Sequence, residues 1–180
     1  GVPVVRARDP GTTPAGRSIR RILLHRGTIA PGTELFLYLA ARAELARRVI
    51  APALARGAWV GCDRYSGSTV AYPGAAAGGR DPRTVARLCR LAEGGVRPDR
   101  TILLDLSVEE GFRRIRRAHD RMERRGLAFH RAVRRAFLRQ ARADRRGRDR
   151  RWRIVSARGT EEEVHRRVMY ALRPLLPRTR

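Results

Sequence analysis

An acid, a guanidinium and a phenol stand side by side at Asp63, Arg64 and Tyr65, directly after the apolar run at 59–62. A guanidinium at a strand tip presents a planar fork that can hold a phosphate through two parallel hydrogen bonds. The carboxylate beside it could orient that fork or help to hold Mg²⁺ through water. A structural ion pair at the sheet edge is the competing interpretation, and the triplet alone leaves both open.

A second pair with chemical potential lies at Tyr38 and Arg42, four residues apart in a segment whose apolar residues recur at helical spacing. Residues at this spacing project from one face of a helix. The ring could stack on a nucleobase while the guanidinium hydrogen-bonds the carbonyl edge of that base. The alternative is that Tyr38 belongs to the core and Arg42 is a surface charge. Thr69 and Tyr72, just past the triplet, add hydroxyl groups near the same place.

Four apolar runs, separated by helix signals, must position these residues. The runs are continuous rather than alternating, which is typical of a parallel sheet covered on both faces. We therefore expect an α/β fold with a doubly wound parallel sheet. The expected strands lie within 2–8, 58–62, 101–107 and 151–157. The expected helix boundaries are Thr33 as a cap, Asp81-Pro82 as a start, Gly94 as a stop, and the capping pairs Ser107/Glu110 and Thr160/Glu163.

Ligands of such sheets bind beyond the carboxyl ends of the strands. Asp63-Arg64, Arg8-Asp9 and Asp105 all follow strands at those ends. Two segments are expected to be loops: the stretch of hydroxyls and glycines at 66–74 and the low-complexity, arginine-rich stretch at 141–153.

The chain is strongly basic: 41 basic against 17 acidic residues give a formal charge of +24, and every basic residue is arginine. The lack of lysine is typical of a GC-rich coding bias, which explains the choice of arginine but not the excess of charge. Such an excess attracts polyanions. It is greatest at 113–153, where 18 arginines face four acidic residues. The excess fits either a nucleic-acid surface or arginines gathered around small phosphorylated ligands.

The cysteines and the hydropathy indicate the compartment. Cys62 and Cys89 lie outside any metal-binding pattern, so we expect free thiols in a reducing cytosol. No apolar run approaches the roughly 18 residues of a membrane span. We therefore expect a cytoplasmic protein that does not cross a membrane.

Five segments occur in an order that carries more information than any of them alone. They are Arg-Asp-Pro-Gly-Thr-Thr-Pro with its downstream arginine (8–24), Thr-Glu-Leu-Phe-Leu-Tyr-Leu-Ala-Ala-Arg-Ala-Glu-Leu (33–45), Cys-Asp-Arg-Tyr with the stretch after it (62–74), Arg-Pro-Asp-Arg with an apolar run (97–106), and the arginine-rich 120–138. In sequence and order they resemble bacterial thymidylate kinase, and the resemblance covers almost the whole chain.

The resemblance implies roles at the nucleoside. Tyr38 would stack on thymine, in place of the more common phenylalanine, and Arg42 would contact the thymine carbonyl. Thr69 and Tyr72 would line the nucleoside pocket. Asp9 would belong to the same substrate site and stands where the family usually has glutamate.

Other roles are implied at the phosphates. Arg20 and Arg64 would grip the monophosphate, with Asp63 beside Mg²⁺ and the phosphates. Arg121, together with Arg117, would be a lid arginine that closes on ATP.

The implied reaction transfers the γ-phosphoryl group of ATP to dTMP, giving dTDP and ADP, with Mg²⁺ as the cofactor. The chain would form one domain over 1–180, with a lid at about 113–127. It would pair as a homodimer through the helix containing 34–50. A preference for dTMP over dUMP is left open.

One departure from the family is large. The family opens with a central strand and a Gly-rich phosphate loop ending in Gly-Lys-Ser/Thr, whereas this sequence contains no lysine and so no such loop. Residues 1–11 correspond to the second strand of the family. We therefore expect an N-terminally truncated form that lacks the first strand, is inactive, and retains affinity for dTMP.

Two alternative functions predict different binding. A catalytically dead, nucleotide-binding homologue would bind dTMP but not ATP. An arginine-rich nucleic-acid-binding protein would bind DNA or RNA in a strongly salt-dependent way. The second alternative does not explain the pairing of Tyr38 with Arg42, so specific nucleic-acid binding is not expected.

Overall fold

Four strands, all of them predicted from the sequence, pair in parallel. The computed structural model describes residues 1–24, 28–76, 81–115, 121–147 and 150–176. Within these residues β1 (Val4–Arg8) pairs with β2 (Trp59–Asp63), and β3 (Thr101–Asp105) pairs with β4 (Trp152–Ser156). The α/β class with parallel strands is thus confirmed, as two sheets of two strands each.

The chain divides into two compact units. The first unit is Gly1–Arg97 with Ala118–Ala136, and it contains β1 and β2. The second unit is Pro98–Arg117 with Phe137–Arg180, and it contains β3 and β4.

The helices of the first unit surround two small cores. They are α1 (Pro14–Leu24), α2 (Pro31–Leu45) with a π-helical turn (Ala46–Ile50), α3 (Ala51–Ala55), α4 (Ser66–Ala76) and α5 (Pro82–Glu93). One core consists of Leu35, Leu39, Val85 and Cys89, with Val70 packed against it, and therefore joins α2, α4 and α5. The other core consists of Ala7, Leu45 and Ile50, and joins β1 to the end of α2.

The helix ends predicted from local sequence signals were mostly correct. Asp81 caps α5 by accepting hydrogen bonds from the N–H groups of Arg83 and Thr84, and Gly94 ends the helix with φ +56°. Thr33 as a cap was wrong, since α2 already begins at Pro31 without a side-chain cap. Proline suits this first position because its fixed φ is helical and its missing N–H needs no partner there.

Both predicted loops are at least partly helical. Residues 66–74 lie in α4, although glycine, serine and proline are poor helix formers. Thr69 and Ala71 of this helix are buried, so packing outweighs its weak intrinsic propensity. The prediction of a loop over 141–153 was also wrong for its first half, because α7 (Gly126–Arg146) runs through it.

The remaining helices confirm two caps. Ser107 accepts a hydrogen bond from the Glu110 N–H at the start of α6 (Val108–Arg114). Thr160 and Glu163 form a full capping box on α8 (Glu161–Leu172). Short 3₁₀ turns lie at Glu123–Arg125 and Arg173–Leu175. No helix in the described parts of the chain has both the length and the apolar character needed to cross a membrane.

Candidate active site

The carboxyl ends of β1 and β2 meet, as predicted, at Arg8 and Asp63. These residues are in register across the sheet, and the Asp9 N–H donates to the Asp63 carbonyl oxygen at 2.9 Å. Nε of Arg8 lies 3.0 Å from Oδ2 of Asp63, and both side chains are more than half exposed. This edge therefore presents a solvated ion pair, Arg8 and Asp63, next to the buried carboxylate of Asp9.

Arg42 is buried beneath this edge, so its interpretation as a surface charge was wrong. Only 1% of Arg42 is exposed. Nη2 lies 2.5 Å from Oδ2 of Asp9, and Nε donates to the same oxygen at 2.7 Å. Nη1 donates to Oγ1 of Thr69 at 2.6 Å and to Sγ of Cys89 at 3.7 Å. The guanidinium carbon also lies 5.1 Å from the centre of the Tyr65 ring.

This cluster leaves little freedom for Arg42. Arginine has five N–H donors, and the contacts to Asp9, Thr69 and Cys89 leave one N–H on Nη2 for a further acceptor. Burial raises the pKa of the Asp9 carboxyl, and the charge and hydrogen bond of Arg42 oppose that rise. Oδ1 of Asp9 is buried without a hydrogen-bond partner in the described residues. The cluster can thus hold one N–H donor and one carboxylate acceptor in fixed positions.

Tyr38 lies in a second group, which includes Arg64 and Tyr72. Burial is the main cause that raises the pKa of Tyr38 to about 12; Glu34 raises it further, and Arg64 opposes the rise. The guanidinium of Arg64 lies 5.1 Å from the centre of the Tyr72 ring. The backbone of Arg64 has φ +69°, a conformation that residues other than glycine rarely adopt. Such positions cluster at functional sites, where the surrounding structure enforces them.

Arg20 approaches the turn that follows β1. Its Nη1 donates to the Pro10 carbonyl oxygen at 3.3 Å. A side chain added at Gly11 would begin 3.4 Å from Cδ of Arg20, at a backbone φ of +144°. The turn therefore brings Arg20 to the same end of β1 as Asp9, and its role at the monophosphate stays a prediction.

Arg121 contacts the two helices α1 and α2. Its Nη2 donates to Oε2 of Glu34 at 3.0 Å, and its Nε donates to the Leu23 carbonyl oxygen at 2.7 Å. Its role as a lid residue stays a prediction. Arg117, the other predicted lid arginine, lies outside the described residues.

The sequence-based reasoning missed Glu34 and Cys89. Glu34 stands four residues before Tyr38, so the spacing that joined Tyr38 to Arg42 also places Glu34 on the same face of α2. Cys89 was expected only as a free thiol, which it is. No local signal reveals its contact with Arg42, because the two are 47 positions apart.

The carboxylate of Asp63, at the carboxyl end of β2, is exposed and could contact a magnesium ion. Within the described residues no group of three or more His, Cys, Asp or Glu side chains could hold a metal by itself. Mg²⁺ commonly takes only one or two carboxylates and completes its shell with water and substrate phosphates. Asp63 therefore fits a metal that arrives with a nucleotide.

Parallel strands end in Arg8-Asp9 and Asp63-Arg64, beside a helix with a ring and a guanidinium, and form an α/β arrangement. The comparisons that follow imply that this arrangement is of the P-loop nucleoside monophosphate kinase type. The family model for thymidylate kinase matches residues 1–168. This chain belongs to the thymidylate kinase family, a family of transferases.

Individual relatives agree with this assignment. The thymidylate kinase of Synechococcus sp. (strain JA-2-3B'a(2-13)) is 42% identical over 170 residues, which span 94% of this chain and 80% of the relative. That of Pseudomonas putida (strain W619) is 41% identical over 186 residues, spanning 100% and 86%. The crystal structure of thymidylate kinase from Ehrlichia chaffeensis matches with a TM-score of 0.74 at 27% identity, covering 94% of this chain and 80% of that one.

Proposed function

We propose that this chain serves in the transfer of the γ-phosphoryl group of ATP to dTMP, giving dTDP and ADP, and that its first unit supplies the dTMP site. The observation that carries the proposal is the buried cluster of Asp9, Arg42 and Thr69, next to Tyr38 on α2. A buried guanidinium with four of its five N–H groups paired is a rigid element, and rigid donors and acceptors favour recognition of one base over another.

Each side chain has a proposed task. Tyr38 offers its face to thymine, and the remaining N–H of Arg42 is directed to a base carbonyl. Thr69 holds Arg42 in place and, with Tyr72, lines the nucleoside side. The chemistry follows from positioning, because phosphoryl transfer needs aligned reactants and charge neutralisation rather than a covalent nucleophile.

The phosphate side is proposed from charge and position. Arg64 and Arg20 hold the 5′-monophosphate, and Asp63 lies beside Mg²⁺ and the phosphates. Arg117 belongs to a lid at about 113–127 that closes over ATP. A homodimer through the helical segment 34–50, a single domain over 1–180 and a cytoplasmic location are parts of the same proposal.

The donor side requires something that these 180 residues do not contain. Without a lysine there is no Gly-Lys-Ser/Thr loop to hold the β- and γ-phosphates of ATP. We therefore propose that the 180 residues bind dTMP but do not by themselves catalyse phosphoryl transfer from ATP. The same proposal includes a central strand, outside these 180 residues, that would carry such a loop.

Calorimetry and a coupled ADP-release assay test both parts. We expect the 180-residue chain to bind dTMP and to turn over no ATP, and we expect turnover once a strand and a phosphate loop ending in Gly-Lys-Ser/Thr are joined to it. Turnover by the 180 residues alone would contradict the donor-side proposal. Absence of dTMP binding would contradict the acceptor site itself, and parallel titration with dUMP decides the base preference.

A matched pair of variants checks the phosphate grip. Arg64→Lys keeps the charge but loses the planar fork, so dTMP affinity should fall by about tenfold. Arg47→Lys makes the same change at an exposed position of the π-helical turn and should leave affinity unchanged. Equal dTMP affinities of the two variants would mean that Arg64 does not bind the phosphate.

A further inference from the structure

Glu34 is a buried carboxylate to which the proposed function assigns no task. It lies in the first turn of α2, one turn before Tyr38, and only 4% of it is exposed. Oε2 accepts the 3.0 Å hydrogen bond from Arg121, whereas Oε1 is buried and has no hydrogen-bond partner in the described residues. A buried carboxylate with so few partners depends strongly on the one opposite charge beside it.

In the described part of the chain, Arg121 contacts two helices of the first unit. Its contacts are Glu34 on α2 and the carbonyl oxygen of Leu23 in the last turn of α1, and 14% of its side chain is exposed. The charges of Glu34 and Arg121 both act on Tyr38, whose ring is proposed to stack on thymine. After burial, Glu34 is the next cause of the raised pKa of Tyr38, and Arg121 acts against it.

The sign of these charges matters because the proposed substrate is an anion. An unpaired carboxylate close to Tyr38 would repel the monophosphate of dTMP, since charges interact strongly where water is excluded. When Glu34 is paired with Arg121, the two side chains together carry no net charge that would repel the substrate. The ion pair thus permits an acid to lie beside an anion-binding site.

We propose that Glu34 and Arg121 form one charge-neutral unit of the acceptor site, in which Arg121 is a positioning residue that shields the substrate phosphate from Glu34. The inference rests on the proposed function, because it presupposes dTMP beside Tyr38. It gives Arg121 a role different from the predicted closure on ATP, since Arg121 acts through Glu34 and touches no phosphate.

A double-mutant cycle with a charged and a neutral ligand tests this role. Calorimetry of the 180-residue chain with dTMP and with thymidine, at about pH 8 and low salt, is carried out for Arg121→Gln, Glu34→Gln and the double variant. Arg121→Gln should weaken dTMP binding by about tenfold and thymidine binding by less than about twofold, because only dTMP carries the phosphate. Adding Glu34→Gln should restore most of the dTMP affinity.

Two further variants separate charge from folding. Arg121→Lys keeps the charge and loses the fork, so it should retain dTMP affinity within about threefold. Glu44→Gln removes the carboxylate of the partly exposed Glu44–Arg48 pair, whose Oε1 and Nε lie 3.5 Å apart, near the other end of α2. It should change neither affinity, because exposed pairs contribute little.

Several results overturn the inference. Equal losses for dTMP and thymidine in Arg121→Gln, or a loss in Arg121→Lys as large as in Arg121→Gln, would mean that Arg121 is a structural tie only. A dTMP loss that Glu34→Gln does not restore would mean that Arg121 contacts the phosphate directly. If the unsubstituted chain binds neither ligand, the proposed function itself fails; if it binds both and the cycle fails, only the role of the pair is wrong.

Discussion

Two ion pairs at the carboxyl ends of β1 and β2 use adjacent residues in opposite surroundings. Arg8 and Asp63 meet at 3.0 Å with 57% and 58% of their side chains exposed. Asp9 and Arg42 meet at 2.5 Å with none and 1% exposed. Solvent competes with the first pair and is excluded from the second. The exposed pair is therefore accessible to other charged partners, whereas the buried pair is held in a fixed position.

The largest expected effect comes from breaking the buried pair on one side. Asp9→Leu leaves the guanidinium of Arg42 without an opposite charge, which should lower the free energy of unfolding by about 3–5 kcal/mol. Urea denaturation followed by circular dichroism measures this difference. A loss below about 1 kcal/mol would mean that water reaches Arg42 and that the two ion pairs do not differ as described.

Removing both partners sharpens the same comparison. The double variant Asp9→Leu/Arg42→Met should recover most of the stability lost in Asp9→Leu, because an apolar pair of similar volume avoids the desolvation of two charges. It should not recover dTMP binding, which calorimetry measures. Recovery of both would show that the buried pair is structural and takes no part in recognition.

A smaller effect is expected at the hydroxyl that also holds Arg42. Thr69→Val keeps the shape of the side chain and removes the acceptor 2.6 Å from Nη1. The free energy of unfolding should fall by about 1–3 kcal/mol, since a buried charged donor loses its partner. Thr33→Val, at an exposed position in the first turn of α2, is the control for the substitution itself.

The contrast between the pairs also explains what the sequence could predict. The strands were predictable because continuous apolar runs are a local signal, and the position of Asp63-Arg64 follows from the rule for ligands of parallel sheets. The burial of Arg42 was not predictable in this way. Its carboxylate partner lies 33 positions away, and the sequence offers many arginines but no local sign of which one is buried.

Two other differences have the same origin. Residues 66–74 were expected to be a loop because hydroxyl groups and glycines dominate the stretch, yet the burial of Thr69 and Ala71 in α4 outweighs these local preferences. The partner of Arg121 lies 87 positions earlier in the chain. Helical spacing could have drawn attention to Glu34, but only the fold shows which arginine it meets.

The smallest expected effect belongs to the exposed pair, and its dependence on salt makes the comparison sharpest. Asp63→Asn should change the free energy of unfolding by less than about 1 kcal/mol, because both partners are solvated. Arg8→Gln, which removes the other partner, should have an effect of similar size. Both should vanish at about 1 M NaCl, where the screening length is only about 3 Å, while the loss in Asp9→Leu should persist. If Asp63→Asn costs as much as Asp9→Leu, or if salt leaves its effect unchanged, the edge of the sheet is not the solvated surface that could exchange its partners for a nucleotide.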